Sequence, residues 1–251
     1  MAASFPPRFT RTVDLYGPAG FGRLRRGGAT VVGLGGVGAH CVVALARSGI
    51  GRLKLIDFDR ITTSSLNRHP IAGPADVGRP KTEILAAWIA RMCPDTRVEG
   101  VVARVEPDTV ADLVPSGERE LFPVLVDCID SVAAKVALLA HGVEIGYRVL
   151  SSLGAAGKRD PGCLRCGDIF ESEVCPLARK VRQGLREIGV GPGQVSAVWS
   201  VEPPVGPVAG TPDSASPDEA PGTRRQPSNL MLPGIFGFAL AAAAADLLAG
   251  E

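Results

Sequence analysis

The sequence predicts an α/β fold: a Rossmann-like, mostly parallel sheet flanked by helices, with a C-terminal extension that completes the sheet. Three observations predict it. Short apolar runs alternate with segments of helical apolar spacing. A glycine-rich loop, Gly33-Leu34-Gly35-Gly36-Val37-Gly38, joins the first run to the first such segment. Acids or serines stand where several strands end, at Asp57, Asp127, Asp130 and Ser131.

Residues 29–33 (ATVVG) read as a buried strand entering the glycine loop. Residues 37–48 have helical spacing and stop at Gly49, a C-terminal glycine. Residues 53–57 form a second strand, and 81–92 a helix that Pro94 follows. Residues 97–102 form a third strand, and 107–113 a short helix with Pro107 at its start. Residues 124–130 (VLVDCID) are a strand, 132–140 a helix and 148–152 a strand. The pattern weakens after Gly154. A charged helix over 177–188, a strand over 194–201 and a last helix over 233–248 remain. Residues 203–228 are rich in Pro, Gly and Ser and read as a mobile loop. The N-terminal arm, Arg8-Phe9-Thr10-Arg11, has no evident role in a core. Parallel sheets of this kind bind ligands beyond the carboxyl ends of their strands. Gly33–Gly38, Asp57 and the 127–131 stretch all fall on that edge.

Composition sets bounds. With 251 residues, 45% of them hydrophobic, the chain can bury a sizeable core as one domain over 1–251. A net charge of +1 gives no global field favouring nucleic acid, so any nucleic-acid face must be local. Six cysteines lie in apolar runs or a single CxxC, which suggests a reducing, cytoplasmic setting. Residues 1–15 lack the apolar core of a signal peptide. The apolar stretch near 235–248 is too short to span a bilayer of about 30 Å. No membrane association is expected.

The chemistry starts at the glycine loop. Gly33, Gly35, Gly36 and Gly38 between strand and helix allow a tight turn and close approach of backbone to phosphate. Asp57 follows Gly38 by 57 − 38 = 19 residues, where a carboxylate binds ribose hydroxyls. A dinucleotide site needs little more. This sequence adds Asn67, Arg68, Lys81 and Asp130. Two cations and an amide suit a triphosphate, and an acid suits the Mg2+ that accompanies ATP. The competing reading makes Arg68 and Lys81 surface charges and Asp130 a helix cap.

The order Arg8-Phe9-Thr10-Arg11, GLGGVG, Leu55-Ile56-Asp57-Phe58-Asp59, Asn67-Arg68, Gly78-Arg79-Pro80-Lys81 and Asp127-Cys128-Ile129-Asp130-Ser131 resembles the ThiF-type adenylating domain of the ubiquitin-activating-enzyme superfamily. Finer features resemble the tRNA threonylcarbamoyladenosine dehydratases within it. These include Leu15-Tyr16-Gly17, Ser64-Ser65-Leu66-Asn67-Arg68-His69, Lys135, Gly154-Ala155-Ala156-Gly157, Pro176-Leu177-Ala178-Arg179 and Pro233-Gly234-Ile235-Phe236-Gly237. The resemblance implies that the glycines hold phosphates and Asp57 the ribose. It implies phosphate contacts from Asn67, Arg68 and Lys81, Mg2+ on Asp130 beside Ser131, and a homodimer in which Arg11 reaches the partner's ATP. The implied reaction is adenylation of the threonyl carboxylate of the modified adenosine, followed by ring closure with loss of AMP.

Cys163 and Cys166 have zinc-knuckle spacing, but a closed structural site needs four ligands, and only Cys175 is available as a third. His69, next to Arg68, reads as structural but is the histidine most worth checking. Arg179, Lys180, Arg182 and Arg186 fall on one helix, with Arg179, Arg182 and Arg186 spaced to share a face. They are candidate contacts to tRNA phosphates, against the plainer reading of a solvated face. Other functions to weigh are adenylation of a ubiquitin-like sulfur carrier's C-terminal glycine, a nicotinamide-dependent oxidoreductase, and a non-catalytic nucleotide-binding module. No protein partner, such as a sulfur-relay protein, is identified by sequence.

Overall fold

In the computed structural model, residues 5–206 and 226–250 are described. Most of the expected 203–228 loop lies outside them. Its two described flanks are tied down at one residue: Val205 N–H donates to Gly157 O, and Gly157 N–H donates to Pro227 O, each at 2.7 Å.

Strand β1 (Gly28–Val32) is buried along its whole length, as two-sided burial in a parallel sheet requires. It pairs in parallel with β2 (Arg52–Ile56) on one side and β4 (Val124–Asp127) on the other. Beyond β2 lies β3 (Arg97–Val101), and beyond β4 lies β5 (Arg148–Ser152), then β7 (Val195–Ser200). An antiparallel edge strand, β6 (Leu164–Asp168), closes the order 3-2-1-4-5-7-6. The sequence reading missed β6. Arg165 and Cys166 are exposed and Gly167 interrupts the strand, so no apolar pattern marks it. Strand order reverses between β1 and β4, the position at whose carboxyl edge sheets of this kind bind ligands. Val32, Ile56, Asp127 and Ser151 stand level on that edge.

Two apolar layers cover the sheet. One gathers α1 (Thr10–Arg26), α2 (Gly36–Ser48), α3 (Lys81–Met92) and α7 (Met231–Ala249). The other gathers α4 (Val110–Leu113), α5 (Val132–Glu144) and α6 (Pro176–Glu187). Helix α7 lies tight on α2 because Gly237 has no side chain. A Cβ there would stand 2.4 Å from Val37 O. At 19 residues α7 is longer than the apolar run read from sequence, and by length and composition alone it could cross a membrane. Here its Leu232, Phe236, Leu240 and Ala244 are core.

The N-terminal arm is the main correction. It is part of the core: Phe9 is 3% exposed and stacks tilted on Phe21 at 5.3 Å. Helix α1 bends at Gly17, whose φ of 69° breaks the helix just before Pro18. That Gly-Pro break concealed the helix in the sequence. Tyr16 Oη donates to Asp246, and Arg23 donates to Ala249 O, fastening α1 to α7.

Candidate active site

The glycine loop leaves β1 and enters α2 in a conformation that its glycines permit. Gly33 has a φ of +86°, and a Cβ on it would lie 2.8 Å from the Cys128 backbone. A Cβ on Gly38 would lie 1.8 Å from Gly33 O. Gly36 nestles against Pro233 and Arg68. Gly35 differs: a Cβ there would meet nothing within 4 Å. The loop is therefore packed from behind and open at Gly35, beside the first free N–H groups of α2. That is the shape and polarity an anionic phosphate needs.

Asp57, at the end of β2, is 7% exposed. Its Oδ2 accepts from Leu34 N at 2.5 Å and its Oδ1 from Asp59 N at 2.7 Å. Burial raises its pKa, against the Lys81 charge and the two backbone donors. The carboxylate is thus locked to the glycine loop, with lone pairs left for ribose hydroxyls. Lys81 opens α3. Its Nζ donates to Asp59 Oδ2 at 2.7 Å, and its backbone N–H donates to Asp59 O at 3.1 Å. Asp59 was not among the expected site residues, yet it holds the lysine at both ends. Arg68 Nη1 donates to Ser64 O at 2.5 Å and to Asn67 Oδ1 at 3.2 Å. Asn67 is exposed and donates to Ser228 O at 3.2 Å. The glycine loop, Asp57, Arg68 and Lys81 therefore converge.

Asp130 is exposed on the turn after β4, and the N-cap of α5 is Ser131, not Asp130. The helix-cap reading of Asp130 fails. Behind it, the Lys135 ammonium pairs with Asp127, and both side chains are wholly buried. Ser151 Oγ donates to the same carboxylate oxygen at 2.6 Å, and Lys135 also donates to Ser152 O at 2.9 Å. Asp127 Oδ1 accepts from Ile129 N at 3.1 Å, which fixes the turn that presents Asp130. Residue spacing alone gave no hint of this network.

Arg11 is exposed on α1, with no ion pair or hydrogen bond among the described residues. On α6, Arg179, Lys180 and Arg186 are exposed, and the Arg186 guanidinium lies 5.1 Å from the Phe170 ring centroid. Arg182 departs from the expected open face. It is half-buried and donates to the Ser172 carbonyl and, at 2.6 Å, to Ser172 Oγ. Cys175 caps α6 by accepting from Ala178 N at 3.5 Å, and it is buried while Cys166 is exposed. Among the described residues, no group of three potential metal ligands is assembled.

The ThiF family profile matches residues 9–250. The chain belongs to the ThiF family. Among ThiF-related sequences, tRNA threonylcarbamoyladenosine dehydratase 2 of Saccharomyces cerevisiae is 36% identical over 197 residues, 76% of this chain. This chain spans 42% of that protein's length. The Escherichia coli dehydratase is 35% identical, with 78% of this chain and 74% of the relative covered. The SAMP-activating enzyme E1 of Haloferax volcanii is 37% identical over 78% of this chain and 73% of its own. The crystal structure of the E. coli dehydratase TcdA in complex with ATP superposes with a TM-score of 0.83 at 31% identity. It covers 96% of this chain and 93% of that one.

Proposed function

We propose that this chain is an ATP-dependent tRNA threonylcarbamoyladenosine dehydratase. The observation that carries the reading is its likeness, along nearly the whole chain, to a dehydratase crystallised with ATP. The convergence of the glycine loop, Asp57, Arg68 and Lys81 agrees with it. ATP's phosphates lie on the N–H groups around Gly33, Gly35, Gly36 and Gly38, and its ribose hydroxyls on Asp57. Arg68, Lys81 and Asn67 neutralise and orient the phosphates. Binding ATP requires Lys81 to share its charge between Asp59 and a phosphate. Asp130 fits Mg2+, being an exposed carboxylate without a protein partner among the described residues, beside Ser131. The ion would offset phosphate charge as pyrophosphate leaves.

The threonyl carboxylate attacks the α-phosphorus and pyrophosphate departs. A nitrogen of the same side chain then attacks the activated carbonyl, the ring closes and AMP leaves. Water is lost overall, and no protein nucleophile is needed. The tRNA backbone meets the exposed Arg179, Lys180 and Arg186, while Arg182 braces the loop before α6. A groove of about 400 Å³ runs along this helix start, lined by Val174, Cys175, Pro176, Arg179, Lys180 and Arg182. A homodimer supplies Arg11 in trans. Exposed Leu15, one turn after Arg11, and exposed Met231 and Phe238 on α7 provide apolar surface for it.

Incubation of threonylcarbamoyl-modified tRNA with protein and ATP, followed by mass analysis of nucleosides, should show the modified adenosine lighter by the mass of one water. An unchanged nucleoside would refute the reading. The similarity to the SAMP-activating enzyme favours a second reading, adenylation of a ubiquitin-like protein's C-terminal glycine. ATP–pyrophosphate exchange that requires such a carrier and not tRNA would select it.

A further inference from the structure

His69 stands next to Arg68 and is 5% exposed. Its Nδ1 accepts a hydrogen bond from the Ala72 backbone N–H at 3.2 Å. A nitrogen that accepts carries no proton, so the neutral ring holds its proton on Nε2. That Nε2 is buried and has no hydrogen-bond partner among the described residues. A donor shut away from water with no acceptor is destabilising as it stands, and native structures rarely leave one so.

The charged and titratable groups facing it are Lys81, His40, Asp76 and Arg68. Asp76 and the unprotonated Nε2 of neutral His40 are the acceptors among them, but neither bonds His69 Nε2, and both Asp76 oxygens are engaged. Oδ2 accepts from Gly73 N at 3.0 Å and Oδ1 from Arg79 Nη1 at 2.9 Å. His40 is turned toward the glycine loop, its Nδ1 2.5 Å from Gly36 O. Burial, then Lys81 and His40, push the His69 pKa down to about 4. The ring therefore stays a neutral donor at pH 7. An acceptor bonded to His69 Nε2 is what this corner of the site lacks among the described residues.

The geometry points to His69 Nε2–H as a further donor to a phosphoryl oxygen of the bound nucleotide, acting beside Arg68 and Lys81. This inference rests on the ATP reading above. A neutral donor suits the place, because a third cation next to Arg68 and Lys81 would be repelled by both.

Two variants separate bonding from packing. His69→Gln can accept from Ala72 through Oε1 and donate through Nε2. His69→Phe fills the space and can do neither. The dissociation constant of AMP-PNP with Mg2+ is measured by calorimetry for each, and imidazole 15N spectra of the wild type are recorded with and without AMP-PNP. His69→Phe should bind roughly tenfold more weakly or worse, the loss of one hydrogen bond to a charged oxygen. His69→Gln should stay within about threefold of the wild type by the same reasoning. The His69 Nε2 resonance should shift when the nucleotide saturates the site. An unmoved Nε2 resonance at saturation would overturn the inference. So would a folded His69→Phe with the wild-type constant. Should His69→Phe fail to fold, the resonance and His69→Gln decide. A wild type that binds no AMP-PNP at all overturns the ATP reading itself, a result distinct from both.

Discussion

The Lys135 ammonium and the Asp127 carboxylate form an ion pair with neither side chain exposed, one turn beneath the loop that presents Asp130. Lys135 sits on α5 and Asp127 on β4, so the pair ties the helix to the strand end. Ser151 joins it from β5. A buried pair gains little over an apolar one, but breaking it strands a charge. Lys135→Met should therefore lower unfolding stability by about 3–5 kcal/mol. The double variant Asp127→Leu/Lys135→Met should recover most of that loss. Urea unfolding of both variants checks this, and a Lys135→Met protein as stable as wild type would mean that Asp127 is held protonated.

The two glycines Gly35 and Gly38 should respond in opposite ways. A Cβ at Gly38 collides with Gly33 O, whereas a Cβ at Gly35 meets only open space. Gly38→Ala should destabilise the fold by about 3 kcal/mol, toward the upper end of overpacking effects. Gly35→Ala should melt at the wild-type temperature yet weaken AMP-PNP binding by about tenfold, because its methyl group occupies phosphate space. Thermal melts paired with calorimetry separate the two. Unchanged nucleotide affinity in Gly35→Ala would move the phosphates elsewhere.

Much of this was legible in the sequence, and the rest has identifiable reasons. Helix α3 and strand β5 have the bounds that their apolar spacing predicts. That the glycine loop, Asp57, Arg68 and Lys81 would gather at one sheet edge was legible because glycines, acids and cations at strand ends carry local signatures. Helix α1 was missed because Gly17-Pro18 interrupts its period. Strand β6 was missed because an edge strand with an open face needs little apolar character. The Asp127–Lys135–Ser151 network was invisible for a different reason. Its members meet only through the β4–β5 register and the docking of α5, and neither can be read from spacing. Arg182 shows the limit of helical-face reasoning. It shares its spacing with Arg179 and Arg186, but the loop before α6 folds back and takes its guanidinium.

Asp130→Asn should fold normally and lose turnover. The side chain is exposed, is not the N-cap of α5 and has no protein partner among the described residues, so the substitution removes charge without disturbing packing. Loss of metal-assisted charge stabilisation is worth several kcal/mol, so kcat should fall at least about a hundredfold. Circular dichroism and single-turnover kinetics over a Mg2+ series test it. Near-normal turnover would remove Asp130 from the site.

His69 also makes a prediction about acid stability. Its ordinary pKa is 6.5 and its folded value about 4. The folded value is the lower, so between the two the unfolded chain binds more protons. Stability must then fall as pH drops from about 6.5 toward 4, by at most about 3 kcal/mol from this residue. His69→Gln has no such proton to take up. Its unfolding free energy, measured at pH 7 and pH 5, should decline less than that of the wild type. Equal declines would place the acid sensitivity in the carboxylates instead.

Arg11 carries the last prediction. It is exposed and unpaired among the described residues, although Phe9 two positions earlier is anchored in the core. In the proposed homodimer, this outward-facing arginine on a fixed helix would serve the neighbouring subunit's site. Adenylation builds negative charge as pyrophosphate leaves, and a guanidinium supplied in trans stabilises that charge. Arg11→Ala should therefore bind AMP-PNP normally, lose activity and unfold like the wild type. Lys81→Ala should be inactive because its own site lacks the phosphate contact. A mixed dimer of the two has one site with Lys81 intact and Arg11 arriving from the other chain. Mixing the two inactive proteins should then restore up to about a quarter of wild-type activity, since random exchange makes half the dimers mixed and each has one working site of two. Native mass spectrometry would confirm exchange. A monomer active on tRNA, or no recovery despite confirmed exchange, would show that Arg11 serves no neighbouring site.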